Sequence, residues 1–130
     1  MTTYELEAEV RAALIGNADL MAVLPNGAKS IFHYMAPTTD PKYPIIVQSP
    51  LSDIPALKGD DREIAHCVTI KLYVMTKERN TKPKEEDFKT ACKLVKEIMT
   101  SLNFIRRQTT STVEDGKLIV VFEFVKNILC

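Results

Sequence analysis

The sequence predicts an α+β fold, with a single mixed, mainly antiparallel sheet and two main helices packed on one of its faces. Two segments, near residues 5–14 and 88–102, carry apolar residues at helical spacing. Residues 63–76 alternate side chains between two faces, as a long strand does, and two further strand-like segments flank a turn at 114–116. A chain of 130 residues fits one domain, so residues 1–130 are expected to form a single unit.

The first helix is predicted from an apolar stripe and from signals at both of its ends. Thr2 and Glu5 have the spacing of a capping box, and Gly16-Asn17 supplies a stop. The residues of the stripe are Leu6, Val10, Ala13 and Leu14. A further short helical turn is expected from Asp19 to Leu24, before a turn at residues 25–27.

Two short strands and a loop follow. Residues 31–34 are predicted to form the first strand, and residues 45–48, a β-branched run between two prolines, the second. Residues 35–44 between them carry three prolines and are predicted to be a loop.

Residues 51–62 form the least regular segment and are interpreted as a flexible loop. Pro55, Gly59 and the adjacent Asp60 and Asp61 interrupt any periodicity. The segment still carries large apolar residues, namely Leu51, Ile54 and Leu57. A loop of this kind is expected either to fold back on its own core or to dock on a partner.

The strand predicted at residues 63–76 is unusually long. At ~3.3 Å per residue it would span about 43 Å, whereas strands usually contain roughly 3–10 residues. We therefore expect it to bend at a bulge or to project beyond the domain.

A second helix and a hairpin complete the predicted order α-β-β-β-α-β-β. After a polar connector at 77–84, the helix is expected to begin near Pro83 and to end at Asn103. Its apolar face comprises Phe88, Ala91, Cys92, Val95, Ile98, Met99 and Leu102. Residues 104–113 and 117–127 are predicted to pair across the turn. Because the helix acts as a crossover, at least one parallel strand pair is expected.

Composition and charge exclude several classes of function. The formal net charge is zero, which argues against an extended electrostatic contact with nucleic acid. No sequence-specific binding of nucleic acid is expected. There is no apolar run of ~20 residues for a membrane span, and the acidic N-terminus is unlike a signal peptide. Three cysteines without CxxC spacing agree with a reducing cytoplasm.

Residues 1–65 contain five Lys/Arg and nine Asp/Glu, and residues 66–130 contain twelve Lys/Arg and eight Asp/Glu. This asymmetry would favour head-to-tail contacts between copies of the chain, although uneven sampling of a solvated surface also explains it.

The sequence shows no constellation that predicts catalysis, a cofactor or a metal ion. Neither histidine has a partner at ligand spacing, so His33 and His66 are interpreted as partly buried structural residues. Cys92 is expected in the core, and Cys67 at a subunit contact. A Cys–His nucleophilic pair formed in the folded chain remains an alternative. Phosphate-loop and calcium-loop spacings do not occur.

The order of elements resembles the small tail-completion and tail-terminator proteins of long-tailed bacteriophages. The resemblance covers nearly the whole chain and rests on the segments ALIGNADLMAVL, YPIIVQS, HCVTIKLYVMTKE, DFKTACKLVKEIMTSL and FIRRQTTSTVEDGKLIVVFEF. It implies a monomer with helices on one face of a mixed sheet. It also implies rings, often of six copies, that cap the tail tube and meet the head connector.

The resemblance further implies a virion protein of the tail or neck, present in the host cytoplasm during assembly, without enzymatic activity. Its partners would be other copies of the chain, the tail-tube protein and head-connector proteins. The residues expected at assembly interfaces are Leu51, Ile54, Leu57, Asp60, Asp61, Arg62, Lys77, Arg79, Arg106 and Arg107.

Two alternatives remain open from the sequence. One is a head-completion or neck protein, whose partner would be the portal–adaptor complex. The other is a small cytoplasmic enzyme or ligand-binding domain with a pocket between helix and sheet.

Overall fold

Within the described residues, six strands form one mixed sheet, and three helices lie on one of its faces. The computed structural model describes residues 3–37, 41–59, 62–79 and 82–129. The helices are α1 (Thr3–Ile15), α2 (Ala18–Val23) and α3 (Lys82–Ser101), and a short 3-10 turn covers Gly27–Ser30. The strands are β1 (Ile31–His33), β2 (Ile45–Gln48), β3 (Ser52–Gly59), β4 (Arg62–Lys77), β5 (Ile105–Glu114) and β6 (Lys117–Leu129). The α+β class predicted from the sequence is confirmed.

The N-terminal helices follow the predicted pattern. The stripe residues Leu6, Val10 and Leu14 of α1 are fully buried. After α1 ends, the side chain of Asn17 accepts a hydrogen bond from the N–H of Leu20 at 2.9 Å, which caps α2. The capping role predicted for Thr2 concerns a residue outside the described ranges.

A single main core lies between the helices and one face of the sheet. The apolar face predicted for α3 is confirmed, since Phe88, Ala91, Val95, Ile98 and Met99 are buried, with Cys92 and Leu102 partly buried beside them. The facing sheet residues are Ile46, Val68, Ile70, Leu72, Val74, Phe122 and Phe124. Over residues 68–74, the strict alternation along β4 therefore directs every second side chain into this core.

The strand order, β1-β2-β4-β6-β5, explains the length of β4. One edge of β4 pairs with β6 over residues 65–77. The other edge is shared, because β3 pairs with residues 62–69 and β2 with residues 72–75. Ser49 joins the two pairings, since its N–H donates to the carbonyl oxygen of Lys71 at 3.0 Å and its Oγ accepts from the N–H of Lys71 at 2.9 Å. The predicted long strand is confirmed, and it is paired along its length.

The prediction that residues 51–62 form an irregular loop is wrong, because Ser52–Gly59 form strand β3, antiparallel to β4. The chain therefore has one strand more than the predicted order. Pro55 lacks an N–H group and is suited to an edge strand. The register shifts on both sides of Leu57, so a β-bulge there breaks the period-two alternation by which a strand is recognised in a sequence.

The parallel strand pair is not the pair that the crossover through helix α3 suggested. Helix α3 connects β4 to β5, and these two strands run in the same direction, but β6 lies between them and is antiparallel to both. The parallel pair is β1 with β2, in which Ile31 faces Ile46.

The C-terminal hairpin is confirmed, with a tighter turn than predicted. Glu114 pairs with Lys117, so that Asp115 and Gly116 alone form the turn. Their φ angles are 52° and 72°, which is the conformation of a type I′ turn. Gly at the second position avoids the steric cost that other residues pay there.

Candidate assembly surfaces

The helices leave the opposite face of the sheet uncovered over β4, β6 and β5 in the part of the chain that the structure describes. We call this surface the open face. It comprises Thr69, Lys71, Tyr73 and Met75 of β4, Ile119, Val121, Glu123 and Val125 of β6, and Gln108, Thr110 and Thr112 of β5. Apart from Ile119, these side chains are exposed or half-buried. A shallow cavity of about 110 Å³ lies among the charged, polar and apolar groups at its centre.

Beside the open face, the same side of the sheet carries a small apolar cluster. Tyr43, Ile45 and Val47 are buried there, and Phe32, Tyr73 and Met75 are packed against them. This cluster covers the sheet over β2, so the uncovered surface is confined to β4, β6 and β5.

Strand β5 forms one edge of the sheet and is exposed at all ten positions. Two of its apolar residues are strongly exposed, Ile105 at 67% and Val113 at 54%. Because neither face of β5 is covered by a helix, the strand is held mainly by its pairing with β6.

The residues predicted from the 51–62 segment lie at the opposite side of the sheet from β5. Leu51 is half-buried against the main core, and its N–H donates to Glu7 Oε1 at 2.7 Å. Ile54 and Leu57 lie on β3, and Arg62 begins β4. Asp60 and Asp61 lie outside the described residues. Leu51 therefore contributes to the fold of the monomer, and the assembly role predicted for it stays a prediction.

Apart from Arg62, the predicted basic residues form two separate groups, and the structure does not bring them together. Lys77 and Arg79 are exposed and line a cavity of about 260 Å³ beside α3. The N–H of Glu78 donates to the carbonyl oxygen of Gly116 at 2.8 Å, which places this group at the turn of the hairpin. Arg106 and Arg107 lie at the other end of β5, roughly 27 Å away along the strand.

Glu7 of α1 carries a buried carboxylate, and its hydrogen bonds connect α1 to the ends of β1 and β2. Glu7 is only 6% exposed. Its Oε1 accepts from the N–H of Leu51, and its Oε2 accepts from the hydroxyl of Tyr34. His33 Nε2 lies 3.6 Å from Oε2. The side chain of Gln48 donates to the backbone oxygen of Glu7 at 3.0 Å, which connects the helix to the sheet.

Sequence reasoning assigned no role to Glu7, although its position carries a signal. Glu7 adjoins Leu6 and lies three residues before Val10, on the side of α1 that faces the core. A charged residue at such a position is rarely buried without partners. The signal was therefore present in the helical periodicity, but the partners come from distant segments.

His33, Cys67 and Cys92 only partly match their predicted surroundings. The prediction for His66 concerns a side chain outside the described residues. His33 is exposed rather than partly buried, and with Glu7, Ala8 and Arg11 it lines a cavity of about 170 Å³. Cys92 is partly buried at the core, and burial raises the pKa of its thiol to about 11 despite the nearby charge of Lys96. Cys67 is half-buried in the middle of the sheet, opposite Asn127. Within the described ranges, no three His, Cys, Asp or Glu residues are grouped as metal ligands would be.

No protein-family model and no curated protein sequence matches this chain. No helix in the described segments is long and apolar enough to cross a membrane.

Proposed function

We propose that this chain is a non-enzymatic subunit of a phage virion. In this proposal it is a tail-terminator or tail-completion protein that forms a ring at the head–tail junction and contacts the tail tube and the head connector. The observation that supports the proposal best is that all three helices lie on one face of a mixed sheet. This is the monomer arrangement that the resemblance to the phage proteins implies.

The open face gives such a subunit a surface for shape-based association. It extends over three strands, and the apolar pair Tyr73 and Val121 lies next to the charged pair Lys71 and Glu123. Protein interfaces of the non-obligate kind have this mixed character, since they are about as apolar as the rest of the surface. Small ligands generally bind in deep, enclosed apolar pockets. The open face is a different kind of surface.

The distribution of charge supports contact between unlike surfaces of neighbouring copies. The C-terminal half carries the excess of Lys and Arg, and the N-terminal half the excess of Asp and Glu. The exposed basic residues of the C-terminal half include Arg79, Arg106 and Arg107. Complementary charges of this kind orient subunits and speed their encounter more than they tighten the final contact.

The proposal is tested by mixing the purified chain with purified tail tubes and, separately, with head connectors from the same phage. Co-sedimentation and electron microscopy should show rings of the chain at one end of the tubes. Binding to connectors alone would identify the chain as a head-completion protein. If it bound neither particle, the virion role would be rejected.

A further inference from the structure

The outer edge of β5 is long, and its protecting features, a β-bulge at Arg107 and charged side chains, lie only near its two ends. In the described part of the chain, β5 pairs with β6 alone, so one side of a ten-residue strand presents main-chain donors and acceptors. Proteins commonly protect such edges with proline, charged residues or short length, because an open edge can pair with another strand. Residues 108–113 contain no proline, glycine or charged residue.

The geometry of the turn determines which groups of β5 face outward. Glu114 and Lys117 flank a two-residue turn and therefore bond to each other. In an antiparallel ladder this relation alternates along the strand. Thr109, Ser111 and Val113 consequently direct their N–H and C=O groups away from β6.

The charges of β5 are arranged for pairing with an antiparallel copy of itself. The strand begins with Arg106-Arg107 and ends with Glu114, followed by Asp115 in the turn. An antiparallel second copy would bring the basic end of each strand to the acidic end of the other. A parallel copy would instead oppose like charges, which destabilises a strand pair.

We propose that β5 is a self-association edge. Two copies of the chain join through antiparallel β5 strands about a twofold axis, forming a continuous sheet across both molecules. Two registers match the outward-facing groups and overlap over nine residues, with either Thr109 or Thr110 on the twofold axis. We place Thr110 opposite Thr110 of the second copy, because this register brings Arg106 and Arg107 next to Glu114. Thr109 then bonds with Ser111 across the axis.

The charged ends meet on the same face of the joined sheet in this register. Arg107 points to the open face, since its Nε lies 4.0 Å from Glu123 Oε2. Glu114 is on that face too, because it is in phase with Thr110 and Thr112 along β5. In this register Val113 is directly opposite Arg107 and Glu114 is the next residue, and a β-bulge at Arg107 turns its side chain to the open face. Arg107 of one copy and Glu114 of the other are therefore neighbours on that face at each end of the contact.

This contact goes beyond the proposed virion role and does not depend on it. A twofold contact adds to the head-to-tail contacts of a ring, because assemblies with dihedral symmetry contain both kinds. It is measured on the purified chain alone, whereas the virion role is measured by binding to tubes or connectors. A negative result in one of these experiments would not contradict the proposal that the other experiment tests.

Charge reversal tests the proposed pairing. Arg107→Glu and Glu114→Arg should each weaken dimerisation about tenfold or more, because each places like charges at both ends of the contact. The double variant R107E/E114R should return the affinity to within about threefold of the original chain, since it restores opposite charges at both ends. Lys93→Glu, an exposed charge reversal on α3, is the control and should leave the affinity unchanged. Sedimentation equilibrium measures all four variants, and circular dichroism verifies that they fold.

Cysteine cross-linking tests the register independently. Thr110→Cys should form a disulfide-linked dimer under mild oxidation, because the two Cα atoms of such a non-hydrogen-bonded pair lie about 4.5 Å apart. Thr112→Cys lies on the same face, but its counterpart is roughly 14 Å away, so it should not exceed the original chain in cross-linking. A monomeric original chain, a double variant as weak as the single ones, or equal cross-linking at both positions would overturn the proposal.

Discussion

Glu7 shows how one buried residue joins segments that are distant in the sequence. Its carboxylate accepts hydrogen bonds from Leu51 and Tyr34, and its backbone oxygen accepts one from Gln48. The first turns of α1 are thereby connected to the ends of both β1 and β2. A carboxylate in this position is stabilised by its donors, and each donor is in turn satisfied by the carboxylate.

Replacing Glu7 by Ala should therefore destabilise the fold. The N–H of Leu51 loses its acceptor at a partly buried site, and we expect the free energy of unfolding to fall by about 1–3 kcal/mol. Glu97→Ala changes an exposed carboxylate on α3 and should cost about 0.5 kcal/mol or less. Urea unfolding of the two variants measures the difference, and equal losses would contradict the role assigned to Glu7.

Cys92 should make the stability of the chain sensitive to alkaline pH. Burial raises the pKa of the folded thiol to about 11 from its ordinary value of 9.0. As the pH rises past about 9, the unfolded chain loses this proton first, so the free energy of unfolding declines until the folded thiol also ionises near 11. The Cys92→Ala variant should not show this part of the decline in the free energy of unfolding. The difference between the two chains, measured by urea unfolding at several pH values, isolates the thiol from the lysines and tyrosines that titrate in the same range.

At the scale of elements, β4 is the strand on which the sheet is built. It pairs with β6 on one edge and with both β2 and β3 on the other, so three strands depend on its main chain. The hairpin of β5 and β6 continues the sheet on the side away from β2 and depends on a two-residue turn for its register.

Gly116→Ala should therefore weaken the hairpin without a steric clash. The φ angle of Gly116 is 72°, and an added Cβ would have no neighbour within 4 Å. The cost is then that of the left-handed backbone alone, which we expect to be about 1–2 kcal/mol. Ser111→Ala, at an exposed position of β5, is the matched control and should change stability by about 0.5 kcal/mol or less. Thermal unfolding compares them, and an unchanged melting temperature for the Gly116 variant would contradict this account of the turn.

At the scale of the whole molecule, the helices cover only one face of the sheet. The open face and the β5 edge together make one side of the molecule available to other chains. The basic residues predicted for assembly are divided between the two ends of the hairpin, so a partner that contacted both groups would have to extend along the length of β5.

Reversing an exposed charge at one end of the hairpin should weaken assembly and leave the fold intact. Arg79→Glu should reduce binding to tail tubes about tenfold or more, because it reverses a charge at the proposed interface. Its free energy of unfolding should stay within about 0.5 kcal/mol of the original. Lys93→Glu, on the outer side of α3, provides the same charge change away from the hairpin. If both variants bound tubes like the original chain, the end that includes Arg79 would not be an interface.

Much of the fold could be predicted because its signals are local. The stripe of α1, the apolar face of α3 and the turn at Asp115-Gly116 each depend on spacing within a few residues. Strand β3 was missed because a bulge disrupts its alternation, and its regularity comes from pairing with β4. The parallel pair was misplaced because strand order depends on which edges meet in space.

The sequence by itself determined the α+β class, the helices and the long alternating strand, since each follows from periodicity along the chain. Only the tertiary structure decided that β4 is shared by two strands on one edge, that Glu7 is buried among donors from three segments, and that β5 is an edge with both faces exposed. The physical reason is that pairing, burial and exposure are properties of surfaces brought together from distant parts of the chain. Local spacing specifies the elements but does not specify their neighbours.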